Sequence, residues 1–536
     1  MNEAKYFKYS IYVIIFFAIA STALIISVTS KFGPGISEDS VAYIAAARNL
    51  LNGRGISLLF DSKGNQLNLW LPRIDNELYH ILPWPPLFPF IISIFGFVGF
   101  NLIESARWIN AILFGANIAL ILLIIRKYTR SLLLIIFSAV IFITFKNMIH
   151  VHSNVWSEPL FLFLSLLGFY FLFYFLENNK IYNFLISALS FSLAFFTRTA
   201  GISLIATGII AILFFSKLKI KNRIIYSLFF TAIGFLPFSI WTLKNKLTFG
   251  YTSAQFLIHP LLFDNLKEGI KTVSSWFYLD ILPLKMSLIL LVIILITIIF
   301  AFIYVSIKDK KRRTDDAGGT NDAYKLNSRI INIFLIYTFF YINEILFAQS
   351  FFVADIRMDG RILIPVFIST FIIIVLFIKR FLDYFNDKKV IKLIIFIFCE
   401  ILFVFFLTIL IFGIKEFYEE GQGYNSREWL KSGTIRELKG MNSNEVIYTN
   451  NPYAIYFYLD KNPNPFPTKI NIYTDKKNIN YIKDLNKTIE EIREKNGLIV
   501  LFDLGQYYLT EEKELLKDYA LILIKDTQDG AIYKVR

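Results

Sequence analysis

Cysteine is almost missing from this chain: Cys399 is the single one in 536 residues, and it lies inside an apolar run. Structural disulfides and a cysteine-built metal site are therefore excluded. Also missing are a Walker-type phosphate loop, the Gly-x-Gly-x-x-Gly dinucleotide fingerprint, and any Asp-x-Asp pair of the sort that holds a metal–nucleotide-sugar complex. Charged residues make up only 18% of the chain. Their balance is +14, which in a soluble protein would point to nucleic acid. Here many Lys and Arg residues sit in short loops between apolar runs, where they set orientation in a membrane. No nucleic-acid partner is expected.

What the chain has in abundance is apolar surface. Hydrophobic residues reach 56%, with 57 Phe and 29 Tyr, and the mean hydropathy is +0.55. No single soluble core buries that much, so membrane lipid is the expected solvent. Apolar runs fall at 11–29, 106–125, 131–149, 157–176, 183–197, 199–216, 224–242, 286–306, 330–348, 362–378 and 391–413. The first follows Lys5 and Lys8 and is too long for a signal-peptide core, so it counts as a span. About eleven transmembrane helices are expected. Alternate junctions are basic: Arg126, Lys127 and Arg130; Lys217, Lys219, Lys221 and Arg223; Lys308 to Arg313; Lys379, Arg380, Lys388 and Lys389. The positive-inside rule then places the N-terminus in the cytoplasm and the C-terminus outside, in a multi-pass protein of the cell membrane.

The Pro-initiated run 87–100 is short, which fits an interfacial or re-entrant segment better than a span. The expected organisation is a membrane domain over 1–413 with an external loop at 31–105, followed by an external domain over 414–536. In that tail "EVIYTN", "LIVLF" and "YALILIKD" read as strands and "NYIKDLNKTIEEIREKN" as a helix, giving a small α/β domain. The loop 308–328 is polar and expected inside. No internal repeat of the kind that marks a two-halved transporter is visible.

Ionisable groups near a membrane are costly, so their placement is informative. In "SEDSVAYIAAARNLLNGRG", Ser37 can cap a helix that Gly53 and Gly55 end, with Glu38 and Asp39 in its first turn. Two readings stand: helix-terminus carboxylates, or, for Asp39, a base at headgroup depth where a lipid-anchored phosphate presents its substrate. Glu158 opens the fourth span on the same side, ahead of Pro159, and admits the same two readings. His150 and His152 precede it. Their spacing is not that of a helical ligand pair, so no metal ligand is assigned, but a divalent metal stays open. Arg198 in "AFFTRTAG" and Arg361 in "MDGRILIPV" sit where apolar runs meet the outside. Such arginines can snorkel or hold a phosphate through the guanidinium fork. An external site has no ready access to cytoplasmic nucleotides, so any donor should be carried in the membrane.

The ordered pieces "DSVAYIAAARNLLNGRG", "WPPLFPFIISIFGF", "ARWINAILFGANIALIL", "SEPLFLFLSLL", "LAFFTRTAGISLI", "LPFSIWTLKNKLTFG" and "DGRILIPVF" resemble the multi-spanning GT-C glycosyltransferases, the superfamily of protein O-mannosyltransferases and lipid A aminoarabinose transferases. The tail's "YTNNPYAIYFYLDK" resembles their appended external domain. The resemblance implies an α-helical polytopic GT-C-like fold. It makes Asp39 the candidate base, Glu158 the second acid, and Arg198 and Arg361 basic positions near the donor phosphate. Glu38, Tyr43, His80 and Trp84 are assigned to the substrate path. Trp84 stands where aminoarabinose transferases have a lysine, a departure from that substrate class.

The implied reaction moves a sugar from a polyprenyl-phosphate-linked donor to a hydroxyl of a glycan, lipid or protein acceptor outside the cytoplasm, by a single inverting displacement. No cofactor is required by this reading. The competing class is a polytopic transporter or flippase for lipid-linked saccharides, which would favour charges buried midway through spans. Here the acids cluster at the ends of apolar runs, with Glu344 and Glu400 as exceptions.

Overall fold

The computed structural model describes residues 3–58, 79–80, 84–250, 263–297, 321–351, 356–384, 413–441, 445–471, 476–504 and 521–536, with a few single positions between them. The membrane part contains α1 (Glu3–Val28), α2 (Glu38–Leu51), α3 (Leu87–Phe97), α4 (Leu102–Thr129), α5 (Leu132–Thr144), α6 (Lys146–Ser153) and α7 (Glu158–Asn178). It continues with α8 (Ile181–Phe195), α9 (Ile202–Phe215), α10 (Ile220–Phe249), α11 (Phe263–Ser275), α12 (Leu284–Thr297), α13 (Asn321–Phe351) and α14 (Ile364–Tyr384). Two short strands, β1 (Ser57–Leu58) and β2 (Tyr79–His80), pair antiparallel in the loop after α2.

The expected α-helical polytopic membrane protein with a small C-terminal α/β region is what the chain folds into. Six described helices are long and apolar enough to cross a membrane, or seven if α5 and α6, bent by 58° at Phe145, form one broken span. About eleven spans were expected. The difference lies in α8 and α9, with 15 and 14 residues, and in α12; all fall short of the roughly 20 residues a straight crossing needs. Most of the run at 391–413 lies outside the described residues, as does 308–320 of the expected loop 308–328, whose remaining residues 321–328 are helical and begin α13. Within the segment 87–100, Leu87–Phe97 form α3, eleven residues long.

Helix α1 runs antiparallel to α4. At one end Arg130 reaches Glu3 at 3.1 Å and Arg126 donates to Ser10 at 2.8 Å; at the other Arg107 donates to Thr29 Oγ1 at 2.8 Å and to the Ile26 carbonyl at 3.0 Å. Between them a Cβ on Gly115 would lie 2.5 Å from the Ala18 carbonyl oxygen, so glycine is what allows the two backbones to approach. Deeper in the bundle Gly168 admits the ring of Phe191 in the same way. Fully buried phenylalanines (Phe114, Phe161, Phe169, Phe173, Phe191, Phe230, Phe334 and Phe367 among them) fill the interior. The bundle thus has two polar ends about 39 Å apart, the length of the 26-residue α1. Glu3, Arg126, Lys127, Arg130 and Glu177 mark one end.

After α14 come α15 (413–420), α16 (Arg427–Leu430), α17 (Gly433–Gly440), α18 (Pro452–Leu459) and α19 (Tyr481–Glu494). Strands β3 (Ile447–Thr449), β4 (Asn464–Pro465), β7 (Leu498–Phe502), β8 (Leu521–Thr527) and β9 (Gly530–Val535) form one sheet in the order β4-β3-β7-β9-β8, and β5 (Ile470–Asn471) pairs with β6 (Lys476–Lys477). Strand β7 is buried at every position because both sheet faces are covered. Leu485, Ile489 and Ile492 of α19 cover Ile499 and Leu501, while Trp429, Ile435 and Ile455 lie on the side of Val500 and Phe502. The three strands and the helix expected in this tail are present; β9, "GAIYKV", was not anticipated.

Buried Asp529, in the β8–β9 turn, holds the start of α17. It accepts from the Gly433 and Thr434 amides at 3.0 and 3.1 Å and from the Ser432 hydroxyl. Asp529→Ala leaves those donors without partners, so the region should lose about 1–3 kcal/mol. Faster amide exchange over 433–440 in the full chain would register this loss, and unchanged exchange would refute it.

Candidate functional site

Four chain segments meet at the end of the bundle away from Glu3. The first is the start of α2. Ser37 and Ser40 form a reciprocal capping box, which fixes the first turn and holds Asp39 half-buried. The second is the α6–α7 junction, where Pro159 follows Glu158 in the first turn of α7 and the 154–156 backbone is gripped from α4. Asn110 donates to the carbonyls of Asn154 and Trp156 at 2.7 and 3.1 Å, and Asn117 to that of Pro159 at 3.1 Å. The third is the α8–α9 turn, which carries Arg198 in extended backbone before the tight turn Thr199–Gly201. The fourth is the loop before α14. There Asp359 accepts from the amides of Arg361 and Ile362, both at 2.9 Å, and Tyr341 donates to the Ile362 carbonyl at 2.8 Å. A Cβ on Gly360 would lie 2.3 Å from the Asn147 side-chain nitrogen, so a larger residue here would displace that side chain.

The four candidate charged residues form one ion network. Arg361 Nη2 lies 2.7 Å from Asp39 Oδ2, Arg361 Nε donates to Glu158 Oε1, and Arg198 Nη1 lies 2.6 Å from the same Glu158 oxygen. Arg361 therefore bridges both acids, and its guanidinium rests 4.2 Å from the Trp156 ring centroid. Trp156 in turn donates to Ser37 Oγ at 2.7 Å, tying the stacking ring to the helix that carries Asp39. Two carboxylates and two guanidiniums leave the cluster formally neutral. Exposure separates the acids: the Asp39 side chain is 26% exposed and that of Glu158 only 5%. Glu158 Oε2 is buried and makes no hydrogen bond.

Burial alone would lower the pKa of either arginine. Burial is the largest single influence on each, but for Arg361 the charges of Glu158 and Asp39 with the Glu158 hydrogen bond, and for Arg198 the charges of Glu158, Tyr43 and Tyr341, together outweigh it, and both end up raised. Burial, and then the Asp39 and Glu158 charges, push the Tyr43 phenol well above its ordinary value. Tyr43 is thus a fixed hydroxyl, 3.1 Å from Ser157 Oγ, to which Arg198 Nη1 also reaches at 3.3 Å.

Of the residues assigned to the substrate path, Glu38 opens α2 beside Asp39, and Trp84 sets its ring edge-on to Tyr43 at 6.4 Å. Tyr43 itself is almost fully buried. His80 is described by its backbone alone, in β2 opposite Ser57. His152 shares its Nε2 with Asn117 at 3.0 Å and its Nδ1 with the Met148 carbonyl at 2.7 Å, so its ring is committed to the fold. The described His, Asp and Glu residues form no group of three or more that could hold a metal ion.

Sequence reasoning treated the acids and arginines separately and missed their pairing. It also missed Trp156, Ser157 and Asp359. Asn110 and Asn117 carried a signal: two amides seven residues apart fall on one face of an otherwise apolar helix.

The chain is similar to several solved structures, among them two over nearly its whole length. The crystal structure of ArnT from Cupriavidus metallidurans in the apo state is 10% identical, over 98% of this chain and 97% of that one, with a TM-score of 0.44. The oligosaccharyltransferase of Archaeoglobus fulgidus, in complex with Zn and sulfate, is 12% identical over 96% and 72%, with a TM-score of 0.46. No curated protein matches the chain. Across residues 84–241, which bring Trp84, Glu158 and Arg198 to the site, the chain matches the family described as dolichyl-phosphate-mannose-protein mannosyltransferase.

Proposed function

We propose that this protein is a membrane glycosyltransferase that moves a sugar from a polyprenyl-phosphate donor to an acceptor hydroxyl, with inversion. The observation that carries this reading is the meeting of Asp39, Glu158, Arg198 and Arg361 at one end of the bundle, joined by direct ion pairs. The match over 84–241 supports the reaction class.

In this reading the half-exposed Asp39 is the base and the buried Glu158 orients both guanidiniums. The neutral cluster becomes anionic when a donor phosphate enters, so the phosphate competes with Asp39 for Arg361. Transfer of the Arg361 contact to phosphate frees Asp39 to accept a proton. The acceptor oxygen then bonds to the anomeric carbon and its proton passes to Asp39. The bond from that carbon to the phosphate oxygen breaks, and the lipid phosphate leaves with the electron pair. Arg198 and Arg361 stabilise the charge that builds on it. The direct test is incubation of purified protein with radiolabelled polyprenyl-phosphate sugars and candidate glycan, lipid and protein acceptors. Label should move to an acceptor; translocation of the intact lipid-linked sugar across vesicles, with no transfer, would favour a transporter instead.

Sidedness follows from the basic junctions. Arg126, Lys127 and Arg130 share the Glu3 end, so that end faces the cytoplasm and the ion network faces out. Single cysteines in a Cys399→Ala background should react with an impermeant thiol reagent in intact cells at the exposed position 440 and not at 315. The reverse pattern would overturn the orientation.

Arg198→Lys keeps the charge but removes the guanidinium, whose Nη1 reaches both Glu158 and Ser157, and with it the planar fork suited to a bidentate grip on phosphate. Apparent affinity for the lipid donor should weaken about tenfold, equivalent to losing one charge-assisted hydrogen bond of roughly 1.5 kcal/mol, while the protein still elutes as one species. Aggregation with unchanged donor affinity would mean that Arg198 serves folding only.

A further inference from the structure

The segments that lead into Asp39 and Glu158 do not stand alone. Residues 33–37 run beside 153–155 on one side and 422–424 on the other, joined by parallel bridges Gly35–Asn154 and Ile36–Gly423. The backbone bonds are Gly35 N to Ser153 O at 2.9 Å, Val155 N to Gly35 O at 3.0 Å and Tyr424 N to Ile36 O at 2.8 Å. Side chains repeat the pattern: Gln422 Nε2 donates to Ser153 Oγ at 3.1 Å, Asn154 donates to Gln422 Oε1, and Asn425 donates to the Pro34 carbonyl at 2.8 Å. The third segment comes from the region after α15, more than 380 positions away in sequence: Asn425 and Pro34 are 391 residues apart.

Two glycines make the approach possible. A Cβ on Gly35 would lie 1.9 Å from Asn154 Oδ1, and one on Gly423, at φ +56°, would lie 2.1 Å from the Ile36 carbonyl oxygen. The third segment is also anchored to the α/β domain behind it. Tyr424 donates to Asn451 Oδ1 at 2.8 Å, Tyr458 donates to the Tyr424 carbonyl, and Asn451 caps α18 through the Ala454 amide at 3.1 Å. From the end of α18, Asp460 reaches Arg48 in the last turn of α2 at 2.7 Å.

We infer that residues 422–425 are a positioning element for the two site carboxylates, so that the C-terminal domain completes the site rather than merely adjoining it. The inference rests on the glycosyltransferase reading for its kinetic consequence and on geometry alone for its structural one. Residue 36 is three positions before Asp39, and residue 154 is four before Glu158. A shift of the 422–425 turn is therefore transmitted to both acids through three or four peptide units. The Arg48–Asp460 pair is too exposed, at 43% and 73%, to hold α2 by itself. The backbone ladder, buried at Gly35, Ile36, Asn154 and Tyr424, is the stronger tie from this domain.

The test uses the full chain in detergent or nanodiscs. Gly423→Ala, which separates the turn from Ile36, should lower kcat for sugar transfer tenfold or more while donor affinity changes less than twofold. Amide exchange over 34–41 and 153–158 should quicken at least tenfold, with exchange in the middle of α4 and α7 unchanged. Gln422→Ala, which removes only side-chain bonds, should shift both readouts in the same direction by a smaller factor, and Gln422→Glu, which keeps an acceptor for Asn154, should recover part of the loss. Gly440→Ala, where a methyl group meets nothing within 4 Å, is the control in the same domain. Unchanged exchange over 34–41 and 153–158 in Gly423→Ala and Gln422→Ala would overturn the inference. So would a loss of donor affinity with kcat intact. If the unaltered protein transfers no sugar, the reaction assignment fails, and exchange alone decides the positioning role. If Gly423→Ala does not fold, Gln422→Ala decides by the same two readouts.

Discussion

Asp39→Asn should reduce sugar transfer by roughly 10²- to 10⁴-fold, the usual contribution of a positioned base. The substitution preserves size and leaves an oxygen to accept from Arg361, which lies 2.7 Å from the native carboxylate. It removes the competitor for that guanidinium, so the donor should bind as tightly as before or more tightly. This pairing of lost turnover with retained or improved affinity distinguishes a base from a structural acid. Asp39→Glu should retain a trace of activity, limited by misplacement of the carboxylate. Glu38→Gln, at the helix start, should cost only about 0.3–1 kcal/mol. The measurement is single-turnover transfer from a radiolabelled polyprenyl-phosphate donor, alongside donor affinity for each variant. Near-native turnover of Asp39→Asn would move the base elsewhere, with Glu158 next.

Arg361 is expected to give the largest combined effect. Its side chain is 17% exposed and its partner Glu158 5%, so removing it leaves a buried carboxylate short of a cation, a change that costs about 3–5 kcal/mol. Arg361→Met should therefore lose both stability and transfer. Arg361→Lys should fold, because the positive charge remains. It should still lose at least 10²-fold in kcat, because one ammonium lacks the Nε–Nη2 geometry that serves Glu158 and Asp39 together. Pairing Arg361→Met with Glu158→Gln removes one charge of each sign and should recover most of the stability but none of the activity. Recovery of transfer in that double variant would show that the arginine has no part in the chemistry.

Much of this arrangement was legible in the sequence. Ser37, Glu38 and Asp39 announced a capped helix, Gly53 and Gly55 its end, and both glycines adopt positive φ. Four isolated charges at the ends of apolar runs marked the site, because a membrane tolerates such groups only where they have partners. That the partners were one another was not legible. Arg361 Nε and Glu158 lie 203 residues apart in sequence, and no local periodicity reports such a contact. The broken α5–α6 pair was hidden for a different reason. An apolar run keeps its composition through a bend, and Phe145, the extended residue at the break, carries no turn signature. Strand β9 escaped because "GAIYKV" opens on a glycine and is broken by Lys534, whereas β7, one residue shorter, was obvious from five consecutive apolar residues.

The dispersal of the ion network along the chain gives the protein an order of assembly during synthesis. Glu158 is made 40 residues before Arg198 and 203 before Arg361. At about 5–20 residues per second, its first counter-charge follows within roughly 2–8 s and its second only after about 10–40 s. Through that interval the nascent chain holds Glu158 on a single arginine and leaves Asp39 without the guanidinium that later bridges it. The ribosome thus delivers the acids first and the bridging cation late, and the 422–425 turn that flanks them emerges last. Glu158 and Asp39 gain their full set of counter-charges only once Arg361 has been made.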